Sequence, residues 1–136
     1  MVLSADVSPR IISCAAKYLG TPYDYKVFDC VHFILNAHRD AGIAIPRFGG
    51  SGFPPSDLHM SEEEFLLMPE GRTVFFKRKA STANRIWTHA AIIYSSKELI
   101  HCSRHFGGKV VITPKPEFMN VYALAPQNNS QSVYQP

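Results

Sequence analysis

The chain has 136 residues, the size of one domain, and its composition of 46% apolar and 18% charged residues excludes a disordered polar chain. No apolar run approaches the roughly 20 residues of a membrane-spanning helix. A net charge of +3 is too small to argue for nucleic acid as a partner, and three cysteines, an odd number, do not form a disulfide framework.

The chain opens with a predicted helix over residues 10–19. Ser8 is suited to cap this helix, Pro9 to stand at its first position, and Gly20 to end it. Residues 21–28 contain a proline and several aromatic side chains, so this segment is predicted to be an irregular loop leading into the next helix.

A second helix is predicted over residues 30–41, with Asp29 as its N-cap. Residues 48–60 are rich in glycine and proline and are predicted to be a loop. Ser61 followed by three glutamates fits a capping box and predicts a short helix ending near Leu67. The apolar stripe expected on the second helix consists of Val31, Ile34, Leu35 and Ala41.

The second half of the chain is predicted to form strands. Residues 95–97 are expected to form a three-residue turn between two of them. Helices first and strands afterwards predict an α+β fold with an antiparallel sheet. Residues 1–126 are expected to be a single domain, and the polar residues 127–136 a mobile tail. The predicted strands cover residues 73–76, 88–94, 98–103, 110–113 and 119–124.

Cys30 stands at the predicted start of the second helix, which is a favourable place for a reactive thiolate. Backbone N–H groups are unpaired there and the helix dipole is positive, so both favour the charged form and predict a lowered thiol pKa. The alternative is that Cys30 is a small buried apolar residue on the inner face of the helix. The two interpretations are equally open at this point.

His89 and His101 lie twelve positions apart on two predicted strands. Because the turn between them has an odd number of residues, both side chains are expected on the same face of the sheet. One histidine is then placed to act as a base while the other orients its ring. The alternative is a pair of half-buried strand histidines with backbone partners.

Five segments carry a resemblance to a known family. They are LGTPY at residues 19–23, FDC at 28–30, AGIAIPR at 41–47, EGRTVFF at 70–76 and HAAIIY at 89–94. In this order they resemble the motifs of the NlpC-type peptidoglycan cysteine peptidases, and the following strand contributes a second histidine. The resemblance extends over about residues 11 to 124.

The resemblance implies a papain-like α+β fold and a cysteine peptidase or amidase without a cofactor. It implies that Cys30 is the nucleophile, that His89 is the base, and that His101 orients the base. Tyr23 matches a family tyrosine close to the nucleophile. Asp29 matches a position that contacts the free amine of the substrate in some relatives, with its helix N-cap role as an equally weighted alternative.

The sequence also departs from the family pattern beside the nucleophile. Val31 and His32 replace a Ser-Gly pair that lines the substrate side of the site, and Asp24, Tyr25 and Lys26 replace WGG. The substrate side of the site therefore differs from the family pattern, whereas the catalytic residues match it. His32 is a candidate to supply the hydrogen bond that the serine would make, and a solvated or packed histidine is the alternative.

Two further clusters of polar side chains stand out in the sequence. His89, His101, Cys102 and His105 suggest zinc ligands, but neighbouring strand residues such as His101 and Cys102 point to opposite faces, so no metal is expected. A basic stretch is expected to be a solvated surface, with a contact for an anionic wall polymer or an acidic partner as the alternative. This stretch consists of Arg72, Lys77, Arg78, Lys79 and Arg85.

The resemblance implies an enzyme that hydrolyses amide bonds in peptidoglycan stem peptides. No signal peptide is visible in residues 1–10. This favours a bacterial amidase toxin delivered into a target periplasm by a type VI secretion machine and paired with an immunity protein. A cytoplasmic peptidase that recycles wall peptides is one alternative. A catalytically degenerate domain that binds wall peptide or a protein is the other.

Overall fold

The computed structural model describes residues 3–43, 60–82 and 87–125. The predicted loop over 48–60, apart from Met60, lies outside the described residues, as do Arg85 and the predicted tail. The helices in these ranges are α1 (Leu3–Ala16), α2 (Cys30–Asp40), α3 (Glu62–Leu66) and α4 (Lys115–Val121). The strands are β1 (Thr73–Arg78), β2 (His89–Ile93), β3 (Glu98–Ser103), β4 (Lys109–Pro114) and β5 (Tyr122–Leu124).

The strands form a single sheet in the order β4-β3-β2-β1-β5, and each neighbouring pair is antiparallel. Helices α1 and α2 pack together, and α2 lies against β2 and β3. On the other face, α4 packs against β3, β4 and β5. The predicted α+β class with an antiparallel sheet is therefore confirmed.

The central strand β2 is buried along its whole length because helices cover both faces of the sheet. Ala90 and Ile92 belong to the core under α1 and α2, whereas Ala91 and Ile93 belong to the core under α4. This alternation follows from the two-residue period of a strand. Each fully buried isoleucine contributes roughly 1.5–3 kcal/mol through removal of its side chain from water.

Helix α2 is defined by its caps, as the sequence predicts. The Asp29 carboxylate accepts the first free N–H groups, and Ala41 and the positive φ of Gly42, 77°, end the helix. The predicted buried stripe is only partly correct, because Val31 and Leu35 are half-buried. Ile34 and Ala41 are buried as predicted, and Phe33 and Ala37 are buried with them.

The bounds predicted for the first helix, residues 10–19, are wrong. Helix α1 begins at Leu3, ends at Ala16 and contains Pro9 in its interior, so Ser8 is not the N-cap. An interior proline removes one N–H donor and crowds the carbonyl four residues earlier, but α1 extends on both sides of Pro9. Residues after Ala16 form turns, and Gly20 adopts a φ of 88° before the chain enters the loop.

The segment predicted as a strand over 119–124 is half helix. Residues up to Val121 belong to α4, and only Tyr122–Leu124 form β5. Pro116 stands in the first turn of α4, where a missing N–H costs nothing because that N–H has no helical partner. None of the helices in the described ranges is long and apolar enough to cross a membrane.

Candidate active site

Cys30 is the first residue of α2 and is 8% exposed. Its position follows from Asp29, whose Oδ1 atom accepts the N–H groups of Val31 and His32, each at 2.9 Å. Within the described residues, the N–H of Cys30 itself has no hydrogen-bond acceptor. The helix start therefore presents a thiol and a free backbone donor side by side.

His32 completes the cap of α2. Its Nδ1 atom lies 3.2 Å from the N–H of Asp29 and 2.8 Å from the Asp29 carboxylate. The neutral ring accepts the Asp29 N–H at Nδ1, whereas the protonated ring donates to the carboxylate from the same atom. His32 thus holds the loop before Cys30 in either protonation state.

A cavity of about 210 Å³ opens beside Cys30, at the end of the sheet where β2 begins. Cys30 reaches it from the α2 side of the sheet, and His89 from the opposite face, where its ring packs on Phe118 and Tyr122. The described residues that line it are Tyr23, Cys30, Arg78, Ser81, Thr88, His89, Ser103, Arg104, His105 and Tyr122.

His89 and His101 lie on the same face of the sheet, as the odd turn predicts. Ile93 pairs with Leu99, and the Tyr94 N–H donates to the Glu98 carbonyl, which leaves the three residues 95–97 in the turn. The Nε2 atom of His89 is 3.0 Å from the Nδ1 atom of His101. Only the Nδ1 atom of His89 is then left for a partner in the cavity.

Thr113 extends this contact by one more residue. The Nε2 atom of His101 is 2.9 Å from the Thr113 hydroxyl, and both residues are buried. His101 pairs with Val111 on β4, so Thr113 is its diagonal neighbour on the same face. The sequence analysis did not identify Thr113; the alternation along β4 is the signal that indicates it, once the strand register is known.

Tyr122 is a second site residue that sequence reasoning missed. Its ring stacks on the ring of His89, with centroids 4.3 Å apart and planes 10° from parallel. Its hydroxyl is 2.7 Å from that of Ser103, which also accepts the N–H of His105. The stacking fixes the orientation of the His89 ring from a strand that is far away in the sequence.

Burial dominates the ionisation of the site. It raises the pKa of the Cys30 thiol to about 12, and the N–H groups of Ala90 and Val31 oppose this rise only in part. It lowers the pKa of His101 to about 3, and together with the neighbouring His101 and His105 it holds the pKa of His89 well below its usual range. The resting site therefore contains a neutral thiol beside neutral imidazoles.

The lowered thiol pKa expected from the helix start is wrong. The helix start does supply N–H groups, but the loss of water around Cys30 disfavours the thiolate more strongly, and the nearby Asp29 carboxylate adds to this.

The structure brings together some of the predicted site residues and separates others. Tyr23 lines the cavity with Cys30 and His89, and His101 lies directly behind His89. The described residues that line the cavity do not include Asp29, Val31 or His32. Their placement at the helix cap is a structural role, and a substrate contact by these three residues stays a prediction.

The histidine and cysteine cluster does not assemble a metal site. Cys102 packs in the α2-side core, opposite to His101, and its thiol points to the Phe28 carbonyl at 3.8 Å. In the ranges that the structure describes, no three side chains of His, Cys, Asp or Glu are close enough to hold a metal ion. Cys14 is also buried in this core and unpaired.

Comparison with known proteins identifies the fold. One solved structure is that of a protein described as similar to a lipoprotein, of the NLP/P60 family, from Staphylococcus aureus subsp. aureus Mu50. It matches with a TM-score of 0.54 and 24% sequence identity, over 80% of this chain and 41% of that one. The chain therefore spans less than half the length of this neighbour.

No protein-family model matches the sequence. No curated protein matches it either. The structural match shows the fold: a papain-like α+β domain, as the sequence predicts. In this fold class, the thiol at the start of α2 and the histidines on the sheet define the site on which a function can be argued.

Proposed function

We propose that the protein is a cysteine peptidase or amidase that hydrolyses amide bonds in peptidoglycan stem peptides. The observation that carries this proposal is the connected series Cys30, His89, His101 and Thr113. Cys30 and His89 line one cavity, and the two hydrogen bonds behind His89 leave its Nδ1 atom free to accept the thiol proton.

The partners of each ring define the tautomers that this chemistry needs. The proposed mechanism requires His89 to donate its Nε2–H to Nδ1 of His101, and His101 to donate its Nε2–H to the Thr113 hydroxyl oxygen; both pairs of atoms lie at hydrogen-bond distance. Because burial lowers the pKa of His101 to about 3, this ring stays neutral and remains an acceptor when His89 becomes charged. His101 therefore stabilises the protonated base without competing for its proton.

In the proposed reaction, the sulfur of Cys30 attacks the carbonyl carbon of the amide while the thiol proton moves to Nδ1 of His89. The carbonyl oxygen becomes negatively charged and accepts the free N–H of Cys30. As the C–N bond breaks, His89 returns the proton to the leaving amine. Water then attacks the thioester, His89 takes its proton, and the acid leaves with Cys30 restored as the thiol.

The proposed substrate class rests on the family resemblance of the motifs and on the fold. The LGTPY, FDC and HAAIIY segments place Tyr23, Cys30 and His89 around one cavity. The structural neighbour is described as an NLP/P60 family protein.

The direct test is digestion of purified peptidoglycan, with the released fragments identified by mass spectrometry. The wild-type chain should release peptides with new amine and carboxyl ends, and Cys30→Ala should release none. Cys102→Ala is the matched control, because this buried thiol lies outside the cavity lining and its loss should leave cleavage intact. Equal release by the wild type and Cys30→Ala contradicts the proposal.

One observation favours a second candidate function, a domain that binds wall peptide without cutting it. Cys30 is buried and its thiol pKa is raised to about 12, as expected of an inert cysteine. In this alternative, wild type and Cys30→Ala bind stem peptide with equal affinity, and neither forms a thioester. Trapping an acyl-enzyme on Cys30 by rapid acid quench and mass spectrometry would exclude it.

We extend the proposal to an effector that acts in the periplasm of a target cell and is neutralised by an immunity protein. Polymeric peptidoglycan lies outside the inner membrane, so the enzyme can damage the wall only there. A fused signal peptide should cause lysis of a Gram-negative host, and the Cys30→Ala form at matched expression should not. If both exported forms are tolerated, the recycling peptidase becomes the better proposal.

A further inference from the structure

Three basic side chains line the same cavity as Cys30 and His89. Arg78 ends strand β1, and Arg104 and His105 follow strand β3 directly. The sequence analysis treated Arg78 as part of a solvated basic stretch and His105 as a zinc candidate. The fold brings them together because β1 and β3 lie on either side of β2 and run in the same direction. Both strands therefore end at the same end of the sheet.

The charges of Arg78 and Arg104 act on other residues of the cavity wall. The pKa of His105 is lowered first by burial and then by the charges of Arg78 and Arg104. The charge of Arg104 also acts on Tyr23, and that of Arg78 on Tyr122. Both tyrosines line the cavity, so the two guanidinium groups belong to its wall.

The acidic charge near the cavity comes from Asp29, which acts on Cys30 and Tyr23. Among the described residues that line the cavity, none is an aspartate or a glutamate. In the same part of the chain, neither Arg78 nor Arg104 forms an ion pair. The Asp29 carboxylate near the thiol is already bound by two N–H groups of α2. The guanidinium N–H donors of Arg78 and Arg104 are thus available to a ligand.

We propose that Arg78 and Arg104 form a subsite for a carboxylate of the substrate, placed next to the amide that Cys30 attacks. A guanidinium group binds a carboxylate through two parallel hydrogen bonds, which gives both attraction and orientation. The inference rests on the proposed function and adds to it a substrate class: peptides with a free carboxylate beside the scissile bond. Amidation of that carboxylate should remove the enzyme's preference for such peptides.

The subsite is tested without any peptide by alkylating Cys30 with iodoacetate and with iodoacetamide at one pH. The two reagents differ in charge, and peptide mapping reports the rate at Cys30 alone. The rate ratio of iodoacetate to iodoacetamide should fall about tenfold in Arg78→Gln/Arg104→Gln. The double variant Lys77→Gln/Lys79→Gln loses the same charge outside the described cavity lining and should keep the ratio. An unchanged ratio in the arginine variant overturns the subsite.

A second experiment separates the subsite from the proposed function. Stem tetrapeptides with free carboxylates and with carboxamides are offered to the wild type and to the arginine variant. The wild type should show a lower KM for the free acid, and the variant should lose this difference with little change in kcat. Equal hydrolysis of both peptides overturns the subsite only. No hydrolysis of either, with a charge-dependent alkylation ratio, overturns the proposed function only.

Discussion

The Nε2 atom of His89 is hydrogen-bonded to the Nδ1 atom of His101 at 3.0 Å, and the two residues lie on neighbouring antiparallel strands, twelve positions apart. The bond exists because the turn of residues 95–97 has an odd length and places both rings on one face. A turn longer or shorter by one residue would place the rings on opposite faces, and His89 would have no orienting partner there.

Replacement of His101 should lower turnover while the protein stays folded. In His101→Ala the Nε2–H of His89 loses its acceptor, and we expect kcat to fall by about 10²-fold, within the range of general acid–base contributions. His101→Asn can restore an acceptor oxygen and should be milder. Steady-state kinetics on released peptide, with circular dichroism of each variant, checks this. Similar kcat values for wild type and His101→Ala would contradict the orienting role.

Thr113 should affect catalysis although it does not line the cavity. Thr113→Val leaves the Nε2–H of His101 buried without an acceptor, which costs roughly 1–3 kcal/mol and favours the tautomer that cannot accept from His89. We expect kcat to fall by about tenfold or more. Thr113→Ser keeps the hydroxyl and should retain most of the activity. A purely structural role predicts instead that both variants lower the melting temperature without a selective loss in kcat.

The reactivity of Cys30 should follow the titration of a buried thiol. Because its pKa is raised to about 12, the thiolate fraction increases with pH throughout the neutral range. The rate of alkylation by iodoacetamide should rise about tenfold per pH unit between pH 6 and 9. His89→Ala should show the same profile. A plateau below pH 7 that disappears in His89→Ala would instead establish a thiolate–imidazolium pair.

The folded state should lose stability in mild acid. The pKa of His101 is about 3 in the folded chain and that of His89 is also lowered, whereas both are near 6.5 when unfolded. The unfolded chain therefore binds more protons below pH 6.5, so the stabilisation is complete above that pH and is lost as the pH falls towards 3. His101 alone contributes up to about 1.4 kcal/mol per pH unit.

Urea unfolding at several pH values between 6.5 and 5 checks this prediction, because most carboxylates stay ionised in that range. His101→Asn should unfold with a shallower dependence on pH than the wild type. Parallel pH dependences for the two proteins would show that His101 titrates alike in the folded and unfolded states.

Local rules acting within a few residues determined much of the site. Asp29 caps α2, Ser61 caps α3, and the turn at 95–97 sets the parity of the two histidines. The local rule that a serine followed by a proline marks a helix start failed for α1, because the helix begins at Leu3 and contains Pro9 in its interior.

The sequence by itself determined the α+β class, the placement of Cys30 at a helix start, and the common face of His89 and His101. Only the tertiary structure decided that Thr113 and Tyr122 complete the site, because the register of β4 and β5 depends on pairing between distant segments. It also decided the state of the thiol. A helix start favours a thiolate locally, but the removal of water around Cys30 outweighs it, and burial is a property of the whole fold.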